Sequence, residues 1–327
     1  MNYNNLEDQV KYASELIKNG EIIAFPTETV YGIGADVYNV EAIKKIYQIK
    51  QRPQNNPLIV HISNLKQLNQ LVDSYGEKEK LLIKNFWPGP LTILFKKNKL
   101  VPDIVTAGSE LVAIRMPSNK IALDLINAAD TPIVAPSANP SGKPSSTHHN
   151  HVYQYFSNKI FCIKGGKTTI GLESTVVSLQ ENNPNILRLG MVTKLDLEFV
   201  LGEKFYIANI SSDKVLSPGM LYKHYAPNAK LFILENIEDF ITKINYYKFK
   251  NKVGILASQQ TIQKLNLDKN ILIKNLGDIN NLLEISNNLF DKLLEFDSSD
   301  VEIILAERFR GSGLGKAIMD KLERASY

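Results

Sequence analysis

The chain has 327 residues, 44% of them hydrophobic and 22% charged, a composition typical of a globular protein and not of a disordered or collagen-like one. Its formal net charge of +4 is too small for a protein whose main task is to coat nucleic acid. Cys162 is its single cysteine, which excludes an intramolecular disulfide and a cysteine-based zinc site. The N-terminus does not resemble a signal peptide, and no apolar run could span a bilayer. We therefore expect a cytoplasmic protein without a membrane segment, and the length favours two domains.

The first 205 residues predict a mixed, twisted open sheet with helices packed on it. Apolar spacing from Leu6 to Ile17 predicts a helix that Gly20 ends, followed by a strand at 22–25 and a helix at 40–49. Further strand-length apolar runs, each bounded by Pro, Gly, Ser or Asn, occur at 58–62, 91–95, 111–116, 133–135, 160–163, 175–179 and 186–189. Because helical patterns fill only some of the gaps, we do not expect a regular alternating barrel.

From residue 230 onwards the pattern changes to strict alternation, which predicts a smaller parallel α/β domain of Rossmann-like architecture. Strands are expected at 231–234, 253–257, 271–273 and 303–306, and helices at 237–249, 279–296 and 314–325, with one more helix after residue 257. Residues 206–228 show no sustained periodicity and are rich in Ser, Pro and Gly. We therefore predict domains at 1–205 and 229–327, joined by a linker at 206–228 that acts as a lid.

Polar motifs follow several of the predicted strands. They are Phe-Pro-Thr-Glu-Thr-Val-Tyr-Gly at 25–32, Lys-Gln-Arg-Pro-Gln-Asn-Asn-Pro-Leu-Ile-Val-His at 50–61, Ala-Ile-Arg-Met-Pro at 113–117, Ala-Pro-Ser-Ala-Asn at 135–139 and Glu-Ser-Thr-Val at 173–176. Ligand crevices of open α/β sheets lie at such strand ends. Any one of these motifs could be an ordinary polar turn, but together they predict a ligand site.

The cations in these motifs point to an anionic ligand. Lys50 and Arg52 lie on a proline-stiffened loop, where they could hold a triphosphate or simply face solvent. Arg115 ends an apolar strand, and an unpaired charge there would be costly, so it must meet an anion from the protein or from a ligand.

The five motifs, in this order, resemble those of the YrdC family of threonylcarbamoyl-AMP synthases. The linker motif Ser217-Pro-Gly-Met-x-x-x-His-Tyr-Ala-Pro227 and the following α/β domain are similar to the long, two-domain form of that family. The resemblance implies a nucleotidyltransferase that condenses L-threonine, bicarbonate and ATP to threonylcarbamoyladenylate and pyrophosphate. A threonylcarbamoyl transferase would then use this product to modify the adenosine next to the tRNA anticodon.

The resemblance also implies roles for individual residues. Lys50 and Arg52 would act in catalysis by reducing the repulsion between the reacting anions. The residues implied around L-threonine are Thr29, His61, Arg115, Ala135 and Ser174. Those implied around ATP are Arg52, Asn56, Leu111, Ser137, Asn139, Ser145, Arg188 and Tyr225, with only a backbone contact expected at Leu111. Magnesium would arrive on the nucleotide and use few protein ligands, so no protein metal site is predicted.

Other interpretations stay open at this stage. The same basic crevice could belong to an RNA-binding module, and the enzyme itself could make a weak contact with tRNA. Arg310-Gly-Ser-Gly-Leu-Gly315 is either a tight strand-to-helix turn or, less favoured, an acyl-CoA phosphate loop. The histidines at 148–151 favour a solvated helix start over a metal site. The run Gly165-Gly-Lys-Thr-Thr169 lacks the earlier glycine that a P-loop needs, because residue 161 is Phe161.

Overall fold

The structure is a computed structural model that describes residues 5–180, 183–208, 224–268 and 270–327. Its helices are α1 Leu6–Lys18, α2 Val40–Lys50, α3 Leu65–Leu71, α4 Glu77–Phe86, α5 Asp103–Thr106, α6 Lys120–Ala129, α7 His149–Phe156, α8 Lys194–Leu201, α9 Ile237–Tyr247, α10 Gln259–Lys264, α11 Leu282–Asp297 and α12 Leu314–Ala325. Its strands are β1 Ile23–Phe25, β2 Gly32–Asp36, β3 Ile59–His61, β4 Leu91–Lys96, β5 Leu111–Arg115, β6 Ile133–Val134, β7 Phe161–Cys162, β8 Thr175–Ser178, β9 Asn185–Arg188, β10 Tyr206–Ile207, β11 Lys230–Leu234, β12 Val253–Ala257, β13 Leu272–Asn275 and β14 Ile303–Glu307.

The larger sheet has the strand order β10-β9-β8-β4-β5-β3-β6-β2-β1-β7. Parallel pairs, such as β3 with β5 and β4 with β8, alternate with antiparallel pairs, such as β4 with β5 and β3 with β6. The mixed sheet predicted from the sequence is therefore confirmed. Two clusters of buried apolar residues, one including Ile43, Val60 and Ile114 and the other including Phe25 and Ile126, form much of its core.

The smaller sheet has the order β11-β14-β12-β13 and is parallel throughout, as the alternating pattern predicts. Its inner strands β12 and β14 are buried at every position, which is typical of a parallel sheet covered on both faces. Residues 308–313 link β14 to α12, so the glycine motif lies at a strand-to-helix turn with Gly313 at the helix N-cap. Within the described ranges, no helix combines the length and the apolar character that crossing a bilayer requires.

Two strands are not predicted by the sequence pattern. The first, β2, begins with Gly32-Ile-Gly34, and glycine is disfavoured in strands. Gly34 is needed there because a Cβ would lie 2.7 Å from Ile133 and 2.8 Å from Phe25. The second, β10, pairs with β9 although its two residues belong to the predicted linker. Residues 209–223 of that linker lie outside the described residues, and the domain boundaries stay a prediction.

The two sheets are connected by a shared apolar cluster. Val30 and Leu172 come from the part of the chain that builds the larger sheet, and they pack with Ile285 and Leu289 of α11. Tyr225, from the predicted linker, belongs to the same cluster. Helix α11 starts at Leu282 because the Asn281 side chain accepts a hydrogen bond from the backbone of Glu284, and its apolar face then repeats at helical spacing. The smaller domain is thus packed directly behind the loops at the edge of the crevice described next.

Candidate active site

A crevice lies where several strands of the larger sheet end. Residues after β1, on β3, at the end of β5, after β6, before β8 and at the end of β9 line it, and it encloses about 700 Å³ of space, part of it open to solvent. The structure brings together eleven of the residues predicted for the site, namely Thr29, Lys50, Arg52, His61, Arg115, Ala135, Ser137, Asn139, Ser174, Arg188 and Tyr225. Residues far apart in sequence therefore meet in one place, as an open α/β sheet allows.

Arg115 is buried at the end of β5, with 2% of its surface exposed. Its Nη2 forms an ion pair with Glu28 Oε2 at 3.1 Å, and its Nη1 donates to Thr29 Oγ1 at 2.9 Å. Its Nε has no hydrogen-bond partner among the described residues. Burial lowers the pKa of Arg115, although Glu28 opposes the shift. The sequence required an anion for this guanidinium, and Glu28 supplies it while leaving donor capacity for a ligand carboxylate.

The hydroxyls of the turn after β1 form an ordered chain. Thr27 Oγ1 donates to the Val30 carbonyl at 2.7 Å, so its proton is already used. The 2.8 Å contact between Thr27 and Thr29 is therefore donated by Thr29, whose oxygen in turn accepts from Arg115. This chain fixes the rotamer of Thr29 and holds it against the guanidinium of Arg115.

His61 lies beside Arg115 because residues 61 and 115 are directly paired between β3 and β5. Its Nδ1 is buried without a hydrogen-bond partner among the described residues. Burial and the charge of Arg115 lower the pKa of His61 to about 3. The imidazole is therefore neutral near pH 7 and can offer one donor and one acceptor to a polar ligand.

Lys50 is the last residue of α2 and is fully buried. Its Nζ donates to the backbone carbonyls of Ser137, at 2.5 Å, and of Asn139. Burial, and then the neighbouring Arg52, lower the pKa of Lys50 well below its usual range. Lys50 therefore holds the loop after β6 in place through these two hydrogen bonds.

Arg52 follows the end of α2 and is held by backbone carbonyls. Its Nε donates to Asn56 at 3.2 Å and its Nη2 to Pro57 at 2.9 Å. Burial lowers the pKa of Arg52 to about 10, which still leaves it charged at neutral pH. These contacts come from the proline-containing loop that the sequence singled out, and they fix the guanidinium at the crevice wall.

Arg188 ends β9 and contacts the residue that precedes β8. Its Nε donates to the Ser174 carbonyl at 3.0 Å and its Nη2 to Ser174 Oγ at 2.9 Å. Ser174 Oγ also lies 2.7 Å from Thr92 Oγ1. A residue predicted near threonine and a residue predicted near ATP are thus in direct contact, which places the two predicted subsites side by side.

Three predicted residues do not line the crevice. Asn56 lies beside it, and its backbone carbonyl accepts from Arg52 and from Tyr47. Ser145 is buried and donates to Glu173 Oε1 at 2.5 Å. Leu111 begins β5, four residues before Arg115, which puts it about 13 Å away along the strand. Their predicted contacts with ATP stay predictions.

Glu173 lines the crevice, although no role was predicted for it from its motif. Ser145 occupies one of its carboxylate oxygens, and the other, Oε2, is buried without a partner among the described residues. Its position in Glu-Ser-Thr-Val, directly before a buried strand, is the sequence signal that could have identified it. Glu28 was missed in the same way, although it stands between the two threonines of its motif.

Tyr225 and His224, at the described end of the predicted linker, also line the crevice. Tyr225 has a φ of 63°, a left-handed conformation that is costly for a non-glycine residue, and its ring lies 5.0 Å from that of Phe290 on α11. Its backbone neighbour Ala226 donates to the Gly142 carbonyl at 2.8 Å. Burial lowers the pKa of His224 to about 3, with Arg52 adding to the shift. These contacts hold the described end of the predicted linker at the crevice.

The crevice as a whole carries an excess of positive charge. Arg52, Arg115 and Arg188 line it together with the basic side chain of Lys50, whereas Glu173 is the one lining carboxylate among the described residues. Cations held in fixed positions in a partly dehydrated site attract anions and stabilise developing negative charge. The arrangement can therefore bind a carboxylate next to a polyphosphate.

The residues present also fit a magnesium ion that is carried mainly by a nucleotide. In the described part of the chain, no cluster of three or more His, Cys, Asp or Glu side chains could hold a metal. Glu173 Oε2 is nevertheless a buried oxygen at the crevice that has no hydrogen-bond partner within the described ranges. One carboxylate oxygen together with phosphate and water is a donor set that suits magnesium.

Two family models match adjoining parts of the chain. The Sua5/YciO/YrdC model, described as telomere recombination, matches residues 15–190, and the model of the threonylcarbamoyl-AMP synthase C-terminal domain matches residues 192–326. Together with the two-sheet fold and the basic crevice, they define a two-domain protein of the Sua5/YrdC class. The chain belongs to the threonylcarbamoyl-AMP synthase family, as its motifs indicate.

Individual relatives support this family membership over nearly the whole length of the chain. The threonylcarbamoyl-AMP synthase of Pyrococcus abyssi is 43% identical over 98% of this chain and 94% of its own. That of Bacillus subtilis is 42% identical over 98% of this chain and 93% of its own. The crystal structure of Pyrococcus abyssi Sua5 complexed with L-threonine matches with a TM-score of 0.90 at 41% identity, covering 98% of this chain and 94% of that one.

Proposed function

We propose that the protein synthesises L-threonylcarbamoyladenylate from L-threonine, bicarbonate and ATP, releasing pyrophosphate, and so acts as a nucleotidyltransferase. The observation that carries the proposal is the meeting of four basic side chains, those of Lys50, Arg52, Arg115 and Arg188, in one crevice. The 41% identity to a protein crystallised with L-threonine supports an amino-acid substrate.

L-Threonine would occupy the end of the crevice near Arg115. The Nε of Arg115, which lacks a protein partner among the described residues, would bind the threonine carboxylate. Thr29, whose rotamer is fixed by Thr27 and Arg115, would contact the substrate together with His61, Ala135 and Ser174. A neutral His61 suits this end, because a second cation would not be needed for one carboxylate.

ATP would lie at the opposite end, against Arg52, Ser137, Asn139, Arg188 and Tyr225. The Ser137–Asn139 loop is fixed by Lys50, so the hydroxyl and amide of this loop are presented in one geometry. Since Arg188 contacts Ser174, the α-phosphate would lie near the boundary between the two substrates. Asn56, Ser145 and the backbone of Leu111 would act from outside the lining.

The reaction would proceed in two balanced steps. The threonine ammonium group and bicarbonate condense to a carbamate, with loss of one water and one proton. A carbamate oxygen then attacks the α-phosphorus of ATP, and the bond from that phosphorus to the bridging oxygen of pyrophosphate breaks. Lys50 and Arg52 would reduce the repulsion between the two anions, and the fixed walls of the crevice would align them.

Magnesium would accompany ATP and neutralise part of the phosphate charge when bound. Glu173 Oε2 is the protein atom that we propose as its ligand, because it is buried at the crevice and lacks a partner among the described residues. The other ligands would be phosphate oxygens and water.

The mixed anhydride product would serve a threonylcarbamoyl transferase that modifies the adenosine next to the tRNA anticodon. This role would place the enzyme in the cytoplasm, where its substrates and tRNA meet. A weak direct contact with tRNA is compatible with the net charge of +4.

The direct test is pyrophosphate release from ATP by the purified protein, measured with both L-threonine and bicarbonate and with each omitted. We expect release to require both, and the adenylate to appear in equal amount by mass spectrometry. Release that is independent of threonine would contradict the proposed reaction. Tight, strongly salt-dependent binding of RNA without any adenylate synthesis would instead favour the RNA-binding module.

A further inference from the structure

Lys321 is a lysine buried in the interior of the smaller domain. It lies on α12 among the apolar residues at 317, 318, 322 and 325, and only 1% of its surface is exposed. Lysine is almost never fully buried unless its ammonium group is partnered. The partners of this group therefore indicate why it is there.

The ammonium group of Lys321 reaches out of its own domain to the crevice wall. Its Nζ donates to the backbone carbonyl of Leu189 at 2.9 Å, and Leu189 follows Arg188 at the end of β9. The same Nζ lies 5.7 Å from the centre of the Tyr225 ring. At that distance the cation and the ring face attract each other. One atom thus contacts both elements that carry Arg188 and Tyr225.

The position of Lys321 is itself fixed by charges on the same helix. Its Nζ forms an ion pair with Asp320 Oδ2 at 2.6 Å, and Asp320 Oδ1 accepts from Arg324 Nε at 2.9 Å. Burial tends to raise the pKa of Asp320, but the charges of Lys321 and Arg324 hold this pKa below its usual range. Asp320 therefore stays ionised near neutral pH and anchors the ammonium group.

A purely stabilising role does not account for this lysine. Removing an ammonium group from water is costly, and well-packed apolar side chains of similar volume often replace buried ion pairs without loss of stability. Methionine would fill most of the same space in an apolar stripe. What methionine could not supply is the hydrogen bond to Leu189 and the attraction to the Tyr225 ring.

We propose that Lys321 of the smaller domain is a positioning residue for ATP, which fixes Arg188 and Tyr225 through the Leu189 carbonyl and the Tyr225 ring. The proposal rests on the proposed function, in which these two residues contact ATP. Lys321 makes no hydrogen bond to Arg115, Thr29 or His61, and among the residues proposed around threonine only Ser174 is linked to it, through Arg188. The smaller domain would then complete the nucleotide subsite.

The test compares the full-length wild type with Lys321→Met by titration calorimetry, using ATP with magnesium and L-threonine separately, together with denaturant unfolding. We expect the Kd for ATP to rise by about tenfold, because a hydrogen bond from a charged group is lost. The Kd for threonine should change by less than about twofold, whereas the unfolding free energy should fall, because Asp320 keeps Arg324 and loses Lys321 as a partner. Lys316→Met, on the exposed side of the same helix, is the matched control and should leave both affinities unchanged.

An unchanged ATP affinity in Lys321→Met would overturn the proposal, and an equal loss of both affinities would show a merely structural role. Should that variant fail to fold, Asp320→Asn keeps the lysine and removes its anchor. It should weaken ATP binding by about threefold and leave threonine binding intact, and no change would overturn the proposal. Adenylate synthesis by the wild type distinguishes a failure of the proposed function from a failure of the proposal for Lys321. If the wild type binds ATP without making adenylate, the proposed function is refuted, and the effect of Lys321→Met on ATP affinity still tests the role of Lys321.

Discussion

Arg115 and Glu28 form a buried ion pair, with 3.1 Å between Nη2 and Oε2 and at most 6% of either side chain exposed. The pair joins two segments 87 residues apart in sequence, the turn after β1 and the end of β5. A pair in this environment balances the cost of two dehydrated charges, so removing one member leaves the other unpaired. Removing Arg115 is therefore expected to lower stability through the unpaired Glu28, an effect that is distinct from the loss of a contact with threonine.

Arg115→Ala should weaken threonine binding by at least about thirtyfold and leave ATP binding nearly unchanged. It should also lower the unfolding free energy by about 3 to 5 kcal/mol, because Glu28 is left charged and buried. Calorimetry and urea unfolding measure the two effects. The double variant Arg115→Ala, Glu28→Gln should regain much of the stability and none of the threonine affinity. Recovery of threonine binding in the double variant would mean that Arg115 is only structural.

Lys50→Met should reduce kcat/KM for adenylate synthesis by about a hundredfold. The reason is that the carbonyls of Ser137 and Asn139 lose their common donor, so the loop that would contact ATP is no longer held. Lys44→Met, on the exposed face of the same helix, is the control and should behave as wild type. Near-normal turnover of Lys50→Met in a steady-state pyrophosphate assay would refute a catalytic role for Lys50.

Acid should destabilise the protein partly through His61. Its folded-state pKa of about 3 lies below the unfolded value of about 6.5, so only the unfolded state takes up a proton between these values. The stabilisation is complete above about pH 6.5 and is lost as the pH falls towards 3. His61→Gln should reduce the slope of unfolding free energy against pH by about 1.4 kcal/mol per pH unit between about pH 6 and pH 4. Identical slopes for wild type and variant would contradict the low pKa.

Gly171→Ala should loosen the contact between the two domains. Gly171 has a φ of 81°, and an added Cβ would lie 2.6 Å from the Asn287 Cα and 2.7 Å from the Ser286 carbonyl oxygen, both on α11. Gly166→Ala is a matched control, since its φ of 77° brings similar backbone strain but no atom lies within 4 Å of the added Cβ. We expect Gly171→Ala to be less stable than the control by more than about 1 kcal/mol. Equal melting temperatures would show that this contact does not hold the domains together.

Most strands were predictable because each is an apolar run ended by a turn residue. β5 and β12 are found within one residue of the predicted limits, since burial on both faces makes such strands apolar throughout. β2 was not predicted because two glycines replace its apolar residues, and Gly34 is needed because of the tertiary closeness of Ile133 and Phe25. β10 was not predicted because two residues are too few to form a recognisable strand pattern.

The site was predictable wherever a motif resembled that of the family, and less so elsewhere. The local sequence cannot show that Glu28 pairs with Arg115, because that contact depends on the register of the whole sheet. Lys321 left a signal of a different kind, a lysine at a position where helical periodicity demands an apolar residue. Such an interruption indicates a buried partner without revealing which one.

The apolar cluster that contains Val30, Leu172 and Tyr225 together with α11 also bears on how the chain unfolds. Side chains from both domains fill the same interior, so neither domain can lose its packing without exposing part of the other. Melting of the two sheets is therefore coupled, and calorimetry should record one transition instead of two separate ones. A substitution deep in α11 would then shift the melting of the distant ten-stranded sheet, although the sequence models divide the chain between these two parts.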